Sequence, residues 1–293
     1  MNPRTLTSGL LADAGNDFLV MGVVNVTPDS FSDGGQYLDP DAAVARGAEL
    51  VGEGASILDI GGESTRPGAL AVGAGEEMRR VLPVLEGLAE AGIDALLSVD
   101  TSKAQVAARA LEAGATFVND VTALRADPEM ASVVAAGGAD CCLMHMLGDP
   151  RTMQDDPRYG DVVDEVKAFL EERLHFALGQ GIAEERIVLD PGIGFGKTVA
   201  HNLELLRRLD ELVALGRPVL VGSSRKSFIG RLTDRPVDDR VAGTIATNVL
   251  AYVGGAQIFR VHDVGPVHDA LTVAAATVRR RWTAKMTPAS STR

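Results

Sequence analysis

The most informative part of the chain is residues 21–35, where an apolar, β-branched run ends abruptly at Asn25. A polar loop follows that contains Gly and Pro and carries Phe31 and Asp33. We interpret this pattern as a buried strand that delivers an amide and carboxylates to one end of a sheet. Because Asn25 and Asp33 are hard oxygen ligands, they are suited to Mg²⁺ that is shared with a diphosphate group.

Other apolar runs also end in polar or ionisable residues. These are Asp59, Asp100, Asn119, His145, Asp190, residues 223–226, Arg260 and His262. A flat heterocycle with amino and amide N–H groups would satisfy Asp100, Asn119 and Asp190 as acceptors, and Lys226 could donate to a ring carbonyl oxygen. A structural hydrogen-bond network is the alternative for these residues. For His145 we favour an oriented core position over catalysis.

A second group of residues is suited to an anion. The serines of residues 222–230 stand beside two basic residues where a helix should begin, and barrels often bind phosphate at such a place. Strand alternation puts Arg260 and His262 on the same side, and Arg66 adds a third cationic strand end. These residues predict a site for phosphate or pyrophosphate. A capped helix with solvated basic residues is the alternative.

Residues 190–198 nearly match a nucleotide phosphate loop but do not fit it. Pro191 replaces the glycine that the motif requires, and Gly192 is one position too close to the lysine. We expect instead that the glycines let the backbone approach a flat ligand and that Phe195 forms a wall, with a plain glycine-rich turn as the alternative. The sequence has no H-E-x-x-H and no G-x-S-x-G pattern, which argues against catalytic zinc and acyl transfer.

These residues can act together only in a fold that gathers many strand ends. Eight short β-branched or aliphatic runs end near Asn25, Ile60, Val99, Val118, His145, Leu189, Val221 and Val261. Helix-like segments lie between them, so the pattern predicts a single-domain α/β fold, the (β/α)8 TIM barrel, whose strand C-termini build the site. A doubly wound open sheet is the structural alternative.

Capping residues and periodicity predict individual helices. Thr101 or Ser102 can cap a helix that runs to Glu112. A 3.6-residue apolar period predicts three longer helices, at residues 161–178, 201–215 and 239–253.

Composition restricts the partners and the compartment. A net charge of −12 disfavours nucleic acid and anionic membrane as partners, and no apolar run is long enough to span a bilayer. Asp13 and Asp17 stand where a signal peptide needs apolar residues. Adjacent Cys141 and Cys142 are expected to be reduced core residues, so we expect a cytoplasmic protein.

The outer parts of the chain give two further expectations. Residues 1–16 and 284–293 are expected to be flexible ends of one catalytic domain that spans residues 17–283. The apolar, weakly charged residues 241–253 and 264–278 suggest a homodimer, although barrel packing alone could explain them.

Seven motifs together closely resemble the dihydropteroate synthase family. They are Asn25-Val-Thr-Pro-Asp-Ser-Phe-Ser-Asp-Gly-Gly35, Gly61-Gly-Glu-Ser-Thr-Arg-Pro-Gly68, Ser98-Val-Asp-Thr101, Asn119-Asp-Val121, Asp190-Pro-Gly-Ile-Gly-Phe195, Ser224-Arg-Lys-Ser-Phe228 and Arg260-Val-His262. The resemblance covers residues 21–276, and the first, second and sixth motifs are specific together. It implies an enzyme that joins p-aminobenzoate to a dihydropterin methyl diphosphate in folate synthesis.

The resemblance also implies a role for individual residues. The pterin is expected to contact Asp100, Asn119, Met144, Asp190, Phe195, Gly222 and Lys226. The diphosphate is expected to contact Asn25, Arg66, Arg260 and His262, with Mg²⁺ on Asn25 and Asp33. 4-Aminobenzoate is expected to contact Phe31, Thr65, Pro67, Phe195 and Ser227, where sulfonamides would compete with it. The catalytic set is then Asp33, Arg66, Asp100 and Lys226.

The expected mechanism is dissociative. No Ser, Cys or Lys is placed with an adjacent base, so no covalent enzyme intermediate is expected. Two alternatives are a pterin-binding methyltransferase barrel and a non-catalytic pterin-binding homologue. The first should lack the Thr-Arg-Pro-Gly and Ser-Arg-Lys-Ser loops, and the second should lose Asn25, Arg66 or Lys226; the sequence keeps all of them.

Overall fold

The computed structural model describes residues 18–27, 39–64, 71–149 and 152–279. Within these ranges, eight strands alternate with helices. The strands are β1 (Leu19–Asn25), β2 (Ile57–Gly61), β3 (Leu96–Asp100), β4 (Phe117–Asp120), β5 (Asp140–Met144), β6 (Ile187–Asp190), β7 (Leu220–Val221) and β8 (Ile258–Val261). The helices are α1 (Pro40–Gly52), α2 (Ala74–Glu90), α3 (Ala104–Glu112), α4 (Met130–Gly137), α5 (Val162–Gly179), α6 (Val199–Arg207), α7 (Leu209–Val213), α8 (Ser227–Thr233), α9 (Val241–Val253) and α10 (Val264–Arg279).

The strands form one parallel sheet that closes into a barrel. The order is β6-β5-β4-β3-β2-β1-β8-β7. The remaining gap between β6 and β7 is spanned by a bridge between Leu189 and Val219 and by a 2.9 Å hydrogen bond from the Leu189 N–H to the Pro218 carbonyl oxygen. The TIM barrel predicted from the sequence is therefore confirmed, and the open-sheet alternative is wrong.

Strand alternation sorts the side chains into two layers. One set of residues fills the barrel interior: Leu19, Met21, Ile57, Leu96, Phe117, Cys142, Val188, Leu220 and Ile258. The alternate residues, such as Val20, Leu58 and Val99, pack outward in a larger cluster together with the helices. Because successive side chains point to opposite faces, the residues two and four positions after the interior set point into the barrel mouth. These positions carry the polar strand-end residues.

The predicted strand ends agree closely with the structure. Each of the eight lies within two residues of an observed end, and three of them, at Asn25, Val221 and Val261, coincide with it. The agreement follows from chemistry, because the apolar run stops where the chain leaves the barrel wall.

Two helix predictions are wrong in detail. Neither Thr101 nor Ser102 caps α3; Lys103 holds the capping position without a side-chain bond, and the Ala104 N–H donates to Asp127 Oδ2 at 2.9 Å. A carboxylate from a distant loop thus replaces the local cap. The helix expected at residues 201–215 is broken into α6 and α7 at Arg208.

The structure agrees with the expectations for α5 and the cysteines, and the expected flexible ends fall outside the described residues. The helix expected at residues 161–178 is α5, and Asp161 caps it by accepting from the Val163 and Asp164 N–H groups. Cys141 and Cys142 are buried free thiols. None of the described helices is both long enough and apolar enough to cross a membrane. The expected flexible ends, 1–16 and 284–293, lie outside the described residues.

Candidate active site

Asp59 is the centre of a hydrogen-bond network in the barrel mouth. Its Oδ1 accepts from Ser98 Oγ at 2.6 Å, and its Oδ2 accepts from Asn119 Nδ2 at 2.9 Å and from Arg260 Nε at 2.6 Å. The carboxylate is fully buried. These residues come from β2, β3, β4 and β8, so the network ties four separate strands together.

Arg260 bridges two buried carboxylates. Its Nε contacts Asp59, and its Nη2 donates to Asp100 Oδ2 at 2.7 Å. Burial raises the pKa of Asp100 to about 7; the charge of Arg260 opposes this, and the charges of Asp59, Glu77 and Asp120 add to it. Burial by itself would lower the pKa of Arg260, but the two carboxylates raise it above its usual value, so the guanidinium stays charged.

Asp190, at the end of β6, is a second buried carboxylate. Its Oδ1 accepts from the Gly192 N–H at 2.6 Å. Burial raises its pKa to about 6, whereas that N–H and the charges of Lys226, Lys197 and Arg260 hold the value down. Near neutral pH this group therefore presents an ionised acceptor.

An apolar wall faces these polar groups. It is formed by Val121, Met144, Met146, Met153 and Phe195. The Lys226 ammonium lies 3.9 Å from the centre of the Phe195 ring, which is a favourable cation–π distance. Acceptors beside an apolar wall and a cation are suited to a flat, polar heteroaromatic ligand.

Side chains from α6 and from the loop before α5 hold the rim loop, residues 191–197. Gln154 Nε2 donates to the Gly194 carbonyl oxygen at 2.6 Å, and the Tyr159 hydroxyl donates to that of Gly196 at 2.8 Å. Asn202 Oδ1 accepts from the Gly194 N–H at 2.7 Å. This loop carries Phe195, so these contacts hold the segment that bears that ring.

The glycines of the rim loop allow close contacts within the protein. Gly192 has φ +67, and a Cβ there would lie 1.9 Å from the His145 carbonyl oxygen. A Cβ at Gly194 would lie 2.9 Å from Lys226 Cδ. These glycines therefore make room for His145 and Lys226, and the expected close approach of a flat ligand stays a prediction.

His145 and Lys197 form a buried pair beneath the loop. Lys197 Nζ lies 2.9 Å from His145 Nδ1 and donates to the Phe195 carbonyl oxygen at 3.0 Å. Burial lowers the pKa of His145 to about 2 and that of Lys197 to about 7. The imidazole stays neutral, which agrees with the oriented core position expected for it.

The residues predicted to bind an anion are divided in the structure. His262 lies beside Ser224, whose Oγ is 3.1 Å from His262 Nδ1 and accepts from the His262 N–H at 3.2 Å. Arg225 instead forms an ion pair with Asp263. Ser223 bonds to Thr247 on α9. His262 and Arg260 thus remain at the mouth, while Arg225 and Ser223 support the loop after β7.

Asn25 lies at the end of β1 beside Gly61 and Asp100. Asn25 pairs with Gly61, and Gly61 pairs with Asp100, across three adjacent strands. A Cβ on Gly61 would lie 3.5 Å from Asp100 Cβ and 3.9 Å from Asn25 Oδ1. In the described part of the chain, no group of three or more His, Cys, Asp or Glu could hold a metal ion.

A charged cluster supports the loop after β2. Lys103 contacts Glu63 and the buried Glu77, and Glu63 Oε1 accepts from the Val72 N–H at 3.0 Å. No local pattern predicts this cluster, since its members are separated along the chain. It connects the β2–α2 loop to the turn that follows Asp100.

The structure places many of the predicted site residues at one end of the barrel. Asn25, Asp100, Asn119, Met144, Asp190, Phe195, Gly222, Lys226, Arg260 and His262 follow or end the strands there. Ser227 begins α8 and is exposed. Phe31, Asp33, Thr65, Arg66 and Pro67 lie outside the described residues, so their predicted roles stay predictions. Asp59 and Lys197 were given no role in the sequence interpretation.

Comparisons with known proteins agree with this geometry. Residues 21–262 match a protein family described as pterin binding enzyme. A dihydropteroate synthase from Synechocystis sp. is 48% identical over 255 residues, which cover 87% of this chain and 88% of the relative.

Solved structures give the same result. The structure of a Xanthomonas albilineans dihydropteroate synthase with 4-aminobenzoic acid is 52% identical with a TM-score of 0.84, covering 89% of this chain and 93% of that one. A Yersinia pestis dihydropteroate synthase in a sulfonamide drug complex is 45% identical with a TM-score of 0.85, covering 89% and 94%.

Proposed function

We propose that this chain, which belongs to the dihydropteroate synthase family of pterin binding enzymes, carries out its reaction with the residues gathered at the barrel mouth. It is a transferase of folate biosynthesis that condenses (7,8-dihydropterin-6-yl)methyl diphosphate with 4-aminobenzoate to give 7,8-dihydropteroate and diphosphate. The observation that carries the residue assignment is the convergence of Asp100, Asn119, Asp190 and Lys226 beside an apolar wall in the barrel mouth.

The pterin ring binds against Phe195 and Met144. Asp100, Asn119 and Asp190 accept hydrogen bonds from its amino and ring N–H groups, and Lys226 donates to its carbonyl oxygen. Gly222 lets the end of β7 approach the ring. Two supports are the burial of all three acceptors and the position of the Lys226 ammonium over Phe195.

The diphosphate binds at Asn25, Arg66, Arg260 and His262. The chain's donors are compatible with a magnesium ion, because Asn25 offers a hard oxygen and such an ion takes most of its remaining ligands from phosphate and water. Asn25 and Asp33 would hold it, and it would supply positive charge to the departing diphosphate. Arg260 is held charged by its two carboxylates, so it can stabilise the same charge.

The chemical step is dissociative. The bond between the pterin methylene carbon and the diphosphate oxygen breaks, and the electron pair leaves with diphosphate. Asp100 opposes the cation that remains on the pterin, with Asp33 as the second carboxylate. The aryl amine of 4-aminobenzoate then attacks the carbon and loses a proton. Catalysis comes from positioning and electrostatics, with Arg66 and Lys226 fixing the two ends of the first substrate.

4-Aminobenzoate occupies the outer part of the mouth, between Phe31, Thr65, Pro67, Phe195 and Ser227. Sulfonamides share its aryl amine and bind at the same place. Steady-state kinetics with a sulfonamide at varied 4-aminobenzoate should give competitive inhibition. Non-competitive behaviour would show that the pocket differs from the one inferred.

The proposal also covers the oligomeric state and the cellular compartment of the protein. The enzyme acts as a homodimer, which is supported by exposed apolar residues on α9 and α10. It acts in the cytoplasm, in keeping with two adjacent cysteines that remain thiols.

The decisive experiment is a coupled assay for dihydropteroate formation with and without Mg²⁺. We expect product from the two substrates only when the ion is present. Pterin binding without any product under these conditions would favour a non-catalytic homologue.

A further inference from the structure

We propose that Asp59 is a positioning residue that orients the Asn119 amide and holds the Arg260 guanidinium in place before the pterin substrate binds. The proposal rests on the proposed function, because it assigns the pterin to Asn119 and Asp100 and the diphosphate to Arg260. Asp59 touches neither substrate in that assignment; it acts only through its neighbours.

The first effect of Asp59 concerns the Asn119 amide. An ionised carboxylate only accepts hydrogen bonds, so the NH₂ end of the amide must face Asp59, at 2.9 Å. Asn119 therefore meets a ligand with its carbonyl oxygen. Ser98 fixes the rotation of the Asp59 carboxylate by donating to its other oxygen at 2.6 Å. Recognition of a ring N–H, as opposed to a ring acceptor, thus depends on a residue one layer beneath.

The second effect concerns Arg260. Asp59 takes the Nε–H of the guanidinium, so Arg260 cannot hold Asp100 through Nε and Nη2 together, and its bond to Asp100 is a single one from Nη2. That bond is accepted by Asp100 Oδ2 and not by Oδ1. Sharing Arg260 between two carboxylates therefore leaves one Asp100 oxygen for the substrate.

The layer beneath Asp59 is apolar and closely packed, with Ile57, Leu96 and Phe117 from the same three strands fully or almost fully buried. A buried ion pair at the next layer is weak evidence for stability, because apolar residues of similar volume often serve as well. The charges are therefore better explained by recognition than by folding.

The test uses Asp59→Asn in the full chain, because the amide keeps the size of the side chain and removes its charge. The affinity for the dihydropterin methyl diphosphate, measured by calorimetry, should fall by about tenfold or more. The KM for 4-aminobenzoate at saturating first substrate should change by less than about twofold, since that substrate contacts none of the partners of Asp59.

Asp120→Asn is the matched control. Asp120 is also a fully buried strand carboxylate, but it points out of the barrel and accepts from Thr122 and Leu124. This variant should lower the melting temperature and leave the pterin affinity within about twofold of wild type. A shared loss of affinity in both variants would mean a structural role and would overturn the proposal.

The pH profile gives a readout that a structural role would not move. The charged groups that act on Asp100 are Arg260, Asp59, Glu77 and Asp120, and the Asp59 charge is one that raises its pKa. Removing it should shift the acid limb of kcat/KM for the pterin substrate to lower pH. An unshifted limb together with wild-type affinity would overturn the proposal.

Failure of the proposed function would give a different result, because wild-type protein would then form no dihydropteroate.

If Asp59→Asn does not fold, Ser98→Ala is the second variant: it keeps the carboxylate and removes the bond that fixes its rotation. It should weaken pterin binding by roughly threefold without changing the KM for 4-aminobenzoate. Unchanged pterin binding in that variant would contradict the role of Asp59.

Discussion

Lys226 is held by two contacts before any ligand arrives. Its stem packs against Gly194, and its ammonium lies over Phe195. Lys226→Ala should therefore weaken pterin binding by about 1.5–3 kcal/mol, because it removes a charge-assisted hydrogen bond to the ring. Calorimetry measures this directly. Arg231→Ala, which removes an exposed cation from α8, the helix that Lys226 precedes, is the control and should bind normally; equal affinity in both variants would contradict the assignment.

Asp190 gives a prediction about recognition and pH together. Its pKa is raised from 3.8 to about 6, so the folded state binds the proton more tightly than the unfolded state, and wild-type stability from this group falls as pH rises from 4 to beyond 6. Asp190→Asn lacks that titration. Its stability relative to wild type should therefore increase with pH over this window, while its pterin affinity falls because a donor faces ring N–H groups.

Denaturation of both proteins at several pH values, together with calorimetry, checks this prediction. A variant that is less stable than wild type by the same amount at every pH would mean that Asp190 is structural. Asp120→Asn again provides a buried carboxylate away from the ligand for comparison.

For single residues, the sequence predicts which strand ends are polar but not which hydrogen bonds connect them. Asp100, Asn119 and Asp190 are recognisable because each interrupts an apolar run. Asp59 is equally visible, yet its three partners lie 39, 60 and 201 residues away in the chain. Its role depends on barrel closure, which no local pattern contains.

At the scale of elements, predictions succeed where local patterns decide and fail where distant groups intervene. The strand ends follow from the apolar runs. The cap of α3 is wrong because Asp127, from the loop after β4, takes the place of a local side chain. The break at Arg208 accompanies contacts of its side chain with Asp161 and Glu211, and the first of these belongs to another helix.

The rim loop between β6 and α6 offers a test at this scale. Gly192→Ala should unfold or distort the loop, because the new Cβ would lie 1.9 Å from the His145 carbonyl oxygen in a left-handed backbone. Gly216→Ala is the matched control: its φ is +79, and a Cβ there meets nothing within 4 Å. The control carries only the backbone strain, about 1–2 kcal/mol.

Chemical denaturation and pterin binding separate the two variants. Gly192→Ala should lose pterin affinity and at least about 2 kcal/mol more stability than the control. Equal stability and normal pterin binding would show that the close approach of this loop to His145 does not matter for the pocket.

At the scale of the whole molecule, the period-two pattern determines both the core and the site. Interior residues such as Ile57, Leu96, Phe117 and Ile258 fill the barrel, and the residues two positions later form its polar network. The interior layer and the polar layer above it both follow from strand alternation and from the number of strands. The closing contact between Leu189 and Val219 does not, because β7 has only two paired residues and leaves a weak signal.

The outer surface yields the last prediction. Leu250 and Val253 on α9, and Val273 and Val278 on α10, are each more than half exposed. The two helices pack against each other, so these side chains can form one apolar surface. A stable dimer needs about 800 Å² per subunit with an apolar centre.

Sedimentation should therefore find wild-type dimers, and Leu250→Glu should give monomers that melt within a few degrees of wild type, since the exposed charge costs the folded subunit little. Leu178→Glu on α5, another exposed leucine, is the control and should stay dimeric. Monomeric wild-type protein would show that the dimer does not form. Equal dissociation of both variants would show that the contact does not depend on this surface.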